Sequence, residues 1–304
     1  MRRELVSNYK FVVSKYIFVL TCDVNGGILV DEVKYMDFGI NIGFVSNMVG
    51  MEKAAELIAK TGFTCVDYTP PVKQDDWKEI FESDMEIMKK YGLRVEQTHG
   101  PFNRYGSYGE THAQAIERVY EATVLSGAKF MVIHGDEYPD NTPFDEETAL
   151  RYNHDMYLPY IKRAEKDGVK LAFETVFEDG YKGFRRFCSK AEELVALIES
   201  FNSPAAVCCM DFGHLYAQYK ENHVEAFKKL ASYIQCTHTH DNHGSDQHEM
   251  PFMGKVEWET CVKLMKEAGY NGSICLEYVY GKMPEKILGK YLKLSFEVCE
   301  LIWK

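Results

Sequence analysis

The sequence has no CxxC pair, no GxGxxG or GxxxxGK glycine loop, no apolar run long enough to cross a bilayer and no surplus of positive charge. Each absence closes a class of function. The nine cysteines are an odd number, and Cys65, Cys208, Cys209, Cys236 and Cys275 stand inside apolar runs. They therefore read as small buried hydrophobes of a reducing, cytoplasmic compartment and not as a disulfide framework. Without a phosphate-cradling loop, nucleotide binding has no support. A formal net charge of -11 repels a phosphate backbone and disfavours a nucleic-acid partner. Phe11 to Leu20 is apolar but short and interrupted by Lys15, so no membrane span is expected.

What is present is the composition of an ordinary globular enzyme, 46% hydrophobic and 27% charged over 304 residues, enough for a large core. Residues 1–35 do not share the pattern of the rest and are expected to be an N-terminal extension of uncertain role, peripheral to function. From residue 36 to 304, apolar runs of strand length alternate with patterns of helical period. The strands are expected at 38–45, 64–68, 94–99, 130–134, 171–174, 207–211, 234–238 and 273–277. Helices are expected at 51–61, 75–91, 110–126, 145–167, 189–200, 223–231, 256–268 and 284–302. Eight strand and helix pairs in strict alternation, with no linker between them, point to a single (β/α)8 TIM barrel, an α/β fold.

Four of these apolar runs end abruptly in a polar residue: Glu174, Asp211, His238 and Glu277. In a barrel the strand ends open onto one face, so four successive strands would deliver three carboxylates and one imidazole to one place. Carboxylates gathered without a cation repel one another. Such a donor set suits one divalent metal, Mn²⁺, Mg²⁺, Co²⁺ or Zn²⁺. His99 and His134 end two earlier strands, His214 follows Asp211 by three residues, and Asp246 and His248 occupy the loop after the seventh strand; all five are candidates for binding substrate. Phe44, Tyr68, Phe102, Tyr105 and Trp258 are candidates for apolar walls, and Arg185 and Arg186 for an anion on the substrate. His112, His154 and His223 fall in or at the start of helices and read as solvated.

The set FET at Glu174, MDFGH from Met210 to His214, HTHDN from His238, DQH from Asp246 to His248 and CLEY around Glu277 resembles the xylose isomerase-like TIM barrel superfamily, in its sugar phosphate isomerase/epimerase branch. The resemblance runs from about residue 37 to the C-terminus. It implies one divalent metal held by Glu174, Asp211, His238 and Glu277. The two glutamates would then be the acid and base on either side of a sugar or sugar phosphate that reacts through an enediolate. The family's ketose 3-epimerases carry an arginine soon after the histidine of the seventh strand. Asn242 to Gln247 contains none, which argues against a free ketohexose. The reading leaves room for a homo-oligomer.

Three other functions compete. Apurinic endonucleases of the same superfamily use a three-zinc cluster whose ligands resemble His99, His134, Glu174, Asp211, His214, His238, Asp246, His248 and Glu277. Against them stand the acidic charge and the lack of basic insertions to grip a duplex. A polyol or keto-acid dehydratase would begin from the same stabilised carbanion. A non-catalytic carbohydrate-binding barrel would tolerate damaged ligands, whereas all four positions carry competent side chains.

Overall fold

Runs that are apolar at nearly every position cannot face water on either side, and they become the central strands of the structure. This is a computed structural model that describes residues 9–13, 16–22, 28–34, 36–101, 112–138, 143–178, 185–278 and 283–303. The chain divides into two compact units, Met1–Asp37 and Phe38–Lys304. In the first, strands β1 (Tyr9–Val13), β2 (Tyr16–Cys22) and β3 (Ile28–Lys34) form an antiparallel sheet in that order. Tyr9 lies opposite Leu20, and Tyr16 opposite Lys34.

The second unit is an eight-stranded parallel barrel. Its strands are β4 (Phe38–Asn41), β5 (Cys65–Tyr68), β6 (Arg94–His99), β7 (Phe130–His134), β8 (Lys170–Glu174), β9 (Ala206–Asp211), β10 (Ile234–His238) and β11 (Ile274–Leu276). They pair in chain order from β4 to β10, and β11 pairs with β4. The ring closes between β10 and β11 through the backbone of Thr239, whose N–H donates to Cys275 O (2.8 Å) and whose O accepts from Glu277 N–H (3.2 Å), and through the Thr237 hydroxyl, which donates to Ser273 O (3.3 Å) and accepts from Cys275 N–H (3.1 Å). Every residue of β4, β5, β7 and β9 is buried, as expected of a sheet covered on both faces.

Helices α1 (Ile42–Val49), α2 (Met51–Thr61), α3 (Trp77–Lys90), α4 (His112–Ser126), α5 (Glu146–Asp167), α6 (Ala191–Ser200), α7 (Phe212–Tyr219), α8 (His223–Leu230), α9 (Trp258–Glu267) and α10 (Glu285–Trp303) run between and after the strands. Their burial follows the helical period; in α2 it is Ala54, Ala55, Ile58 and Thr61 that face inward. No helix among the described residues is long and apolar enough to cross a membrane.

Two local structures differ from the sequence expectation. The strand expected to reach residue 45 stops at Asn41, whose side chain accepts from Gly43 N–H (3.0 Å) and so caps α1. Helix α7 has no counterpart among the expected helices. It begins where the Asp211 carboxylate accepts from His214 N–H (2.6 Å), so the last residue of β9 is also a helix cap.

Candidate functional site

Side chains alternate along a strand, so residues two apart share a face. On the barrel's inner face Phe130, Val132, Ala172, Val207, Cys209 and Cys236 form one buried cluster. Continuing each strand by two residues along that face leads from Val132 to His134, Ala172 to Glu174, Cys209 to Asp211 and Cys236 to His238. The parallel register sets His134 beside Glu174 and His238 beside Asp211. The apolar plug of the barrel is thus capped by polar donors at the C-terminal ends of its strands, where barrels of this kind place their chemistry.

One donor atom from each of Glu174, Asp211, His238 and Glu277 lies within 4.8 Å of the others. All four side chains are buried. His238 Nε2–H donates to Asp67 (2.8 Å), which leaves Nδ1 with its lone pair. That nitrogen has no hydrogen-bond partner, yet it sits 3.1 Å from Glu174 Oε1 and 3.5 Å from Glu277 Oε2. A bare imidazole nitrogen turned toward two carboxylates, its opposite nitrogen held by a third, is the donor arrangement of a metal-binding histidine. The residues therefore fit a divalent cation. Without one, burial opposes the charged His238 ring, but Glu277 and Glu174 override it and hold its pKa well above the ordinary value. Burial likewise works against ionised Glu174, and the neighbouring imidazoles of His238 and His134 bring its carboxyl well below the usual range.

Asp67 is not among the expected site residues, although its signal is the same as for the others: a carboxylate near the end of an apolar run. Its Oδ2 also takes a long hydrogen bond from Asn41 (3.4 Å). Asp67→Asn would weaken the hold on the His238 ring and lower its basicity. The expected result is a loss of about 10–100-fold in divalent-metal affinity with the fold retained. Isothermal titration of the metal-stripped protein checks this, and an unchanged affinity would show that Asp67 does not tune the ring.

A second group of donors, His214, His240, Asp246 and His248, lies beside the first. His214 Nδ1–H donates to Thr175 O (3.0 Å) and His248 Nδ1–H to Glu277 O (2.7 Å), so both rings turn Nε2 toward Asp246, at 3.5 and 3.1 Å. His240, also absent from the expected set, is fully buried and donates from Nε2 to Asp211 (3.1 Å). Its ring lies so close over Gly213 that a β-carbon there would come within 1.9 Å of Cε1. Glycine in MDFGH is thus required by close approach, beneath a ring that steadies Asp211.

This group gives the metal-free protein a pH dependence. Burial opposes charge on His248, but Asp246 and Glu277 push its pKa up to about 9 from 6.5. A folded pKa above the unfolded one contributes stability that is fully present below about 6.5 and is lost as pH rises through about 9. The melting temperature of the chelated protein is expected to fall across that window. His248→Asn should flatten this part of the profile, and an identical slope in the variant would exclude His248 as a source.

Other expected residues fall elsewhere. Arg185 is engaged by Glu178 (2.9 Å), Ser189 and Glu193, and Arg186 by Asp136 (2.7 Å) and His134 (3.2 Å). Neither stands open for a substrate anion, because carboxylates already occupy both guanidinium groups. Tyr68 is core, donating to Asp84 (2.7 Å). Trp258 is also core, packed against Phe212 with Nε1–H on Asp241. Phe44 does approach the site, 6.0 Å from the His248 ring, as does Phe177, 5.1 Å from His214. Phe102 and Tyr105 lie outside the described residues. Of the three histidines expected to be solvated, none is. His223 is buried and bonded to Lys220 O and Glu257 N–H, His154 stacks on Phe201, and His112 lies 2.6 Å from Glu137.

A match to the family described as xylose isomerase-like TIM barrel spans residues 55–295. A probable endonuclease 4 of Mycoplasma mobile is 28% identical over 185 residues, 54% of this chain and 63% of that protein. Among solved structures, a D-tagatose 3-epimerase-like protein superposes with a TM-score of 0.68 at 21% identity, covering 88% of this chain and 99% of its own. The IolI protein with a bound zinc atom superposes with a TM-score of 0.70 at 16% identity, covering 88% and 99%. At these identities the structures share the fold.

Proposed function

Because this chain belongs to the xylose isomerase-like TIM barrel family, we propose that it is a divalent-metal-dependent isomerase or epimerase of a sugar or sugar phosphate. The observation that carries the reading is the convergence of Glu174, Asp211, His238 and Glu277, with His238 Nδ1 left bare among carboxylates. Fold likeness to a D-tagatose 3-epimerase-like protein and to a zinc-bound IolI supports it. A cation held by these four residues, Mn²⁺, Mg²⁺, Co²⁺ or Zn²⁺, supplies positive charge against the negative charge that develops on the sugar's carbonyl and neighbouring hydroxyl oxygens.

Glu174 and Glu277 are the proton-transfer pair, in either order. One carboxylate takes the proton from the carbon beside the carbonyl, which leaves an enediolate. Return of a proton to the opposite face of that carbon gives the epimer, and return to the neighbouring carbon gives the isomer. Burial keeps both carboxylates away from bulk water. His214, with Nδ1–H committed to Thr175 O and Nε2 turned toward Asp246, would share that second nitrogen with a substrate oxygen. His99, His134, Asp246 and His248 complete the wall around the sugar. The test is incubation of the metal-loaded protein in D₂O with ketoses, aldoses and their phosphates; deuterium entering beside the carbonyl is the expected result.

One observation favours a second reading. The described residues hold further donor groups, His99 with His134 and Glu174, and His214 with His240, Asp246 and His248, which is what a cluster of several metal ions in an endonuclease 4-like phosphodiesterase would need. Three zinc ions per chain together with nicking of abasic DNA would replace the isomerase reading.

A further inference from the structure

The two readings part at His134, and an arginine behind it separates them. A histidine that gives one ring nitrogen to a metal keeps its proton on the other, and that N–H needs an acceptor. His238 has one in Asp67, His99 in Gly100 O (2.9 Å), His214 in Thr175 O and His248 in Glu277 O. In each case the opposite nitrogen is turned inward to a carboxylate of the site, Glu174 for His238 and His99 and Asp246 for His214 and His248.

His134 is built the other way round. Its outward nitrogen, Nδ1, faces Nη2 of Arg186 at 3.2 Å. A guanidinium has donors and no acceptor, so Nδ1 must be the acceptor and the ring proton must sit on Nε2. Arg186 is held in this pose from several sides, its Nε on Asp136 (2.7 Å) and its Nη1 directed to Phe177 O (3.4 Å), and its side chain is largely buried. The proton on His134 Nε2 points at Glu174 Oε2, 3.1 Å away. A nitrogen carrying that proton has no lone pair for a metal.

We propose that Arg186 fixes His134 as the Nε2–H tautomer, so that His134 donates a hydrogen bond to Glu174 and does not ligate metal at the group formed by His99, His134 and Glu174. Arg186 is a positioning residue acting through His134. The inference rests on the proposed metal-assisted chemistry at Glu174, Asp211, His238 and Glu277. Within that reading His134 anchors one oxygen of Glu174 and leaves the other, Oε1, beside His238 and His214.

The test uses the whole protein loaded with zinc alone, with no sugar present. Long-range ¹H–¹⁵N correlation of the imidazoles, with the His134 signals identified by their loss in His134→Gln, is expected to show a protonated Nε2 and an unprotonated Nδ1. His134→Gln is expected to bind as many zinc ions per chain as the parent, and Arg186→Met to bind one more, because the freed Nδ1 can then take the proton. A metal-shifted Nε2 with a protonated Nδ1 in the parent protein, or loss of one zinc in His134→Gln, would overturn the proposal. Should Arg186→Met not fold, the parent spectrum and the His134→Gln count still decide. Absence of deuterium exchange into any sugar would count against the isomerase reading and leave this result standing.

Discussion

Glu174→Gln is expected to slow deuterium exchange beside the sugar carbonyl by at least about 10²-fold and up to roughly 10⁴-fold, the range of a positioned general acid or base. The carboxylate is shared by four rings: Oε2 lies 3.2 Å from His99 Nε2 and 3.1 Å from His134 Nε2, and Oε1 lies 3.2 Å from His214 and 3.1 Å from His238. Glutamine keeps the shape and removes the charge, and it must turn an NH₂ group toward part of this ring of imidazoles. The variant should therefore lose metal affinity along with exchange. Glu277→Gln should separate the two effects. Glu277 lies at the rim of the group, 3.5 Å from His238 and 3.9 Å from His248, so exchange should fall as far while more of the metal affinity survives. Mass spectrometry of the recovered sugar reads the first quantity and metal titration the second. Exchange at the parent rate in both variants would remove the pair from the mechanism.

The second large effect is on stability and comes from Asp241, beyond the end of β10. Its carboxylate accepts four hydrogen bonds: from Asn242 N–H (2.8 Å), Val256 N–H (3.0 Å), Phe252 N–H (3.0 Å) and Trp258 Nε1–H (2.9 Å). Its backbone also pairs with Glu249 in both directions (2.7 and 2.9 Å). One fully buried side chain thus gathers the whole loop from 242 to 258, the loop that carries Asp246 and His248. Gly254 passes so close that a β-carbon there would sit 2.3 Å from Asp241 Oδ1. Asp241→Ala strands four donors, and with unsatisfied groups costing about 1–3 kcal/mol each the loss should exceed about 3 kcal/mol. In a barrel of this size that lowers the melting temperature by roughly 6–12 °C. His248 holds a left-handed backbone conformation, φ 48°, which a slackened loop has no reason to keep. A thermal melt within a degree of the parent would refute this account of the loop.

The strands are legible in the sequence because their burial is two-sided. Runs such as FMVIH at 130–134 and VCCMD at 207–211 admit no other placement, and the polar residue ending each is conspicuous for that reason. The errors share a cause as well. Asn41 and Asp211 each end a strand and cap a helix, and a capping side chain looks the same in a sequence as a site residue. For Asp211 it is also a candidate ligand, so α7 is hidden behind the reading of MDFGH as ligands. Asp67 carries the same signal as Glu174 and escapes notice because it stands one residue short of the strand's end. The Arg186 contact has no signature in the sequence, since it joins the loop after β8 to the end of β7 and depends on where a guanidinium comes to rest. Trp258 illustrates the reverse: an aromatic that is only a candidate for the cleft wall is held in the core by a carboxylate whose importance only the fold exposes.

The backbone join between β10 and β11 runs through Thr239, with the Thr237 hydroxyl bridging to Ser273 O and Cys275 N–H beneath it, and the residues on either side of that join are His238 and Glu277. A cation gripping both would rivet this seam of the ring. Loading the site and tightening the barrel are then a single event, and the chemistry doubles as the clasp of the scaffold that supports it.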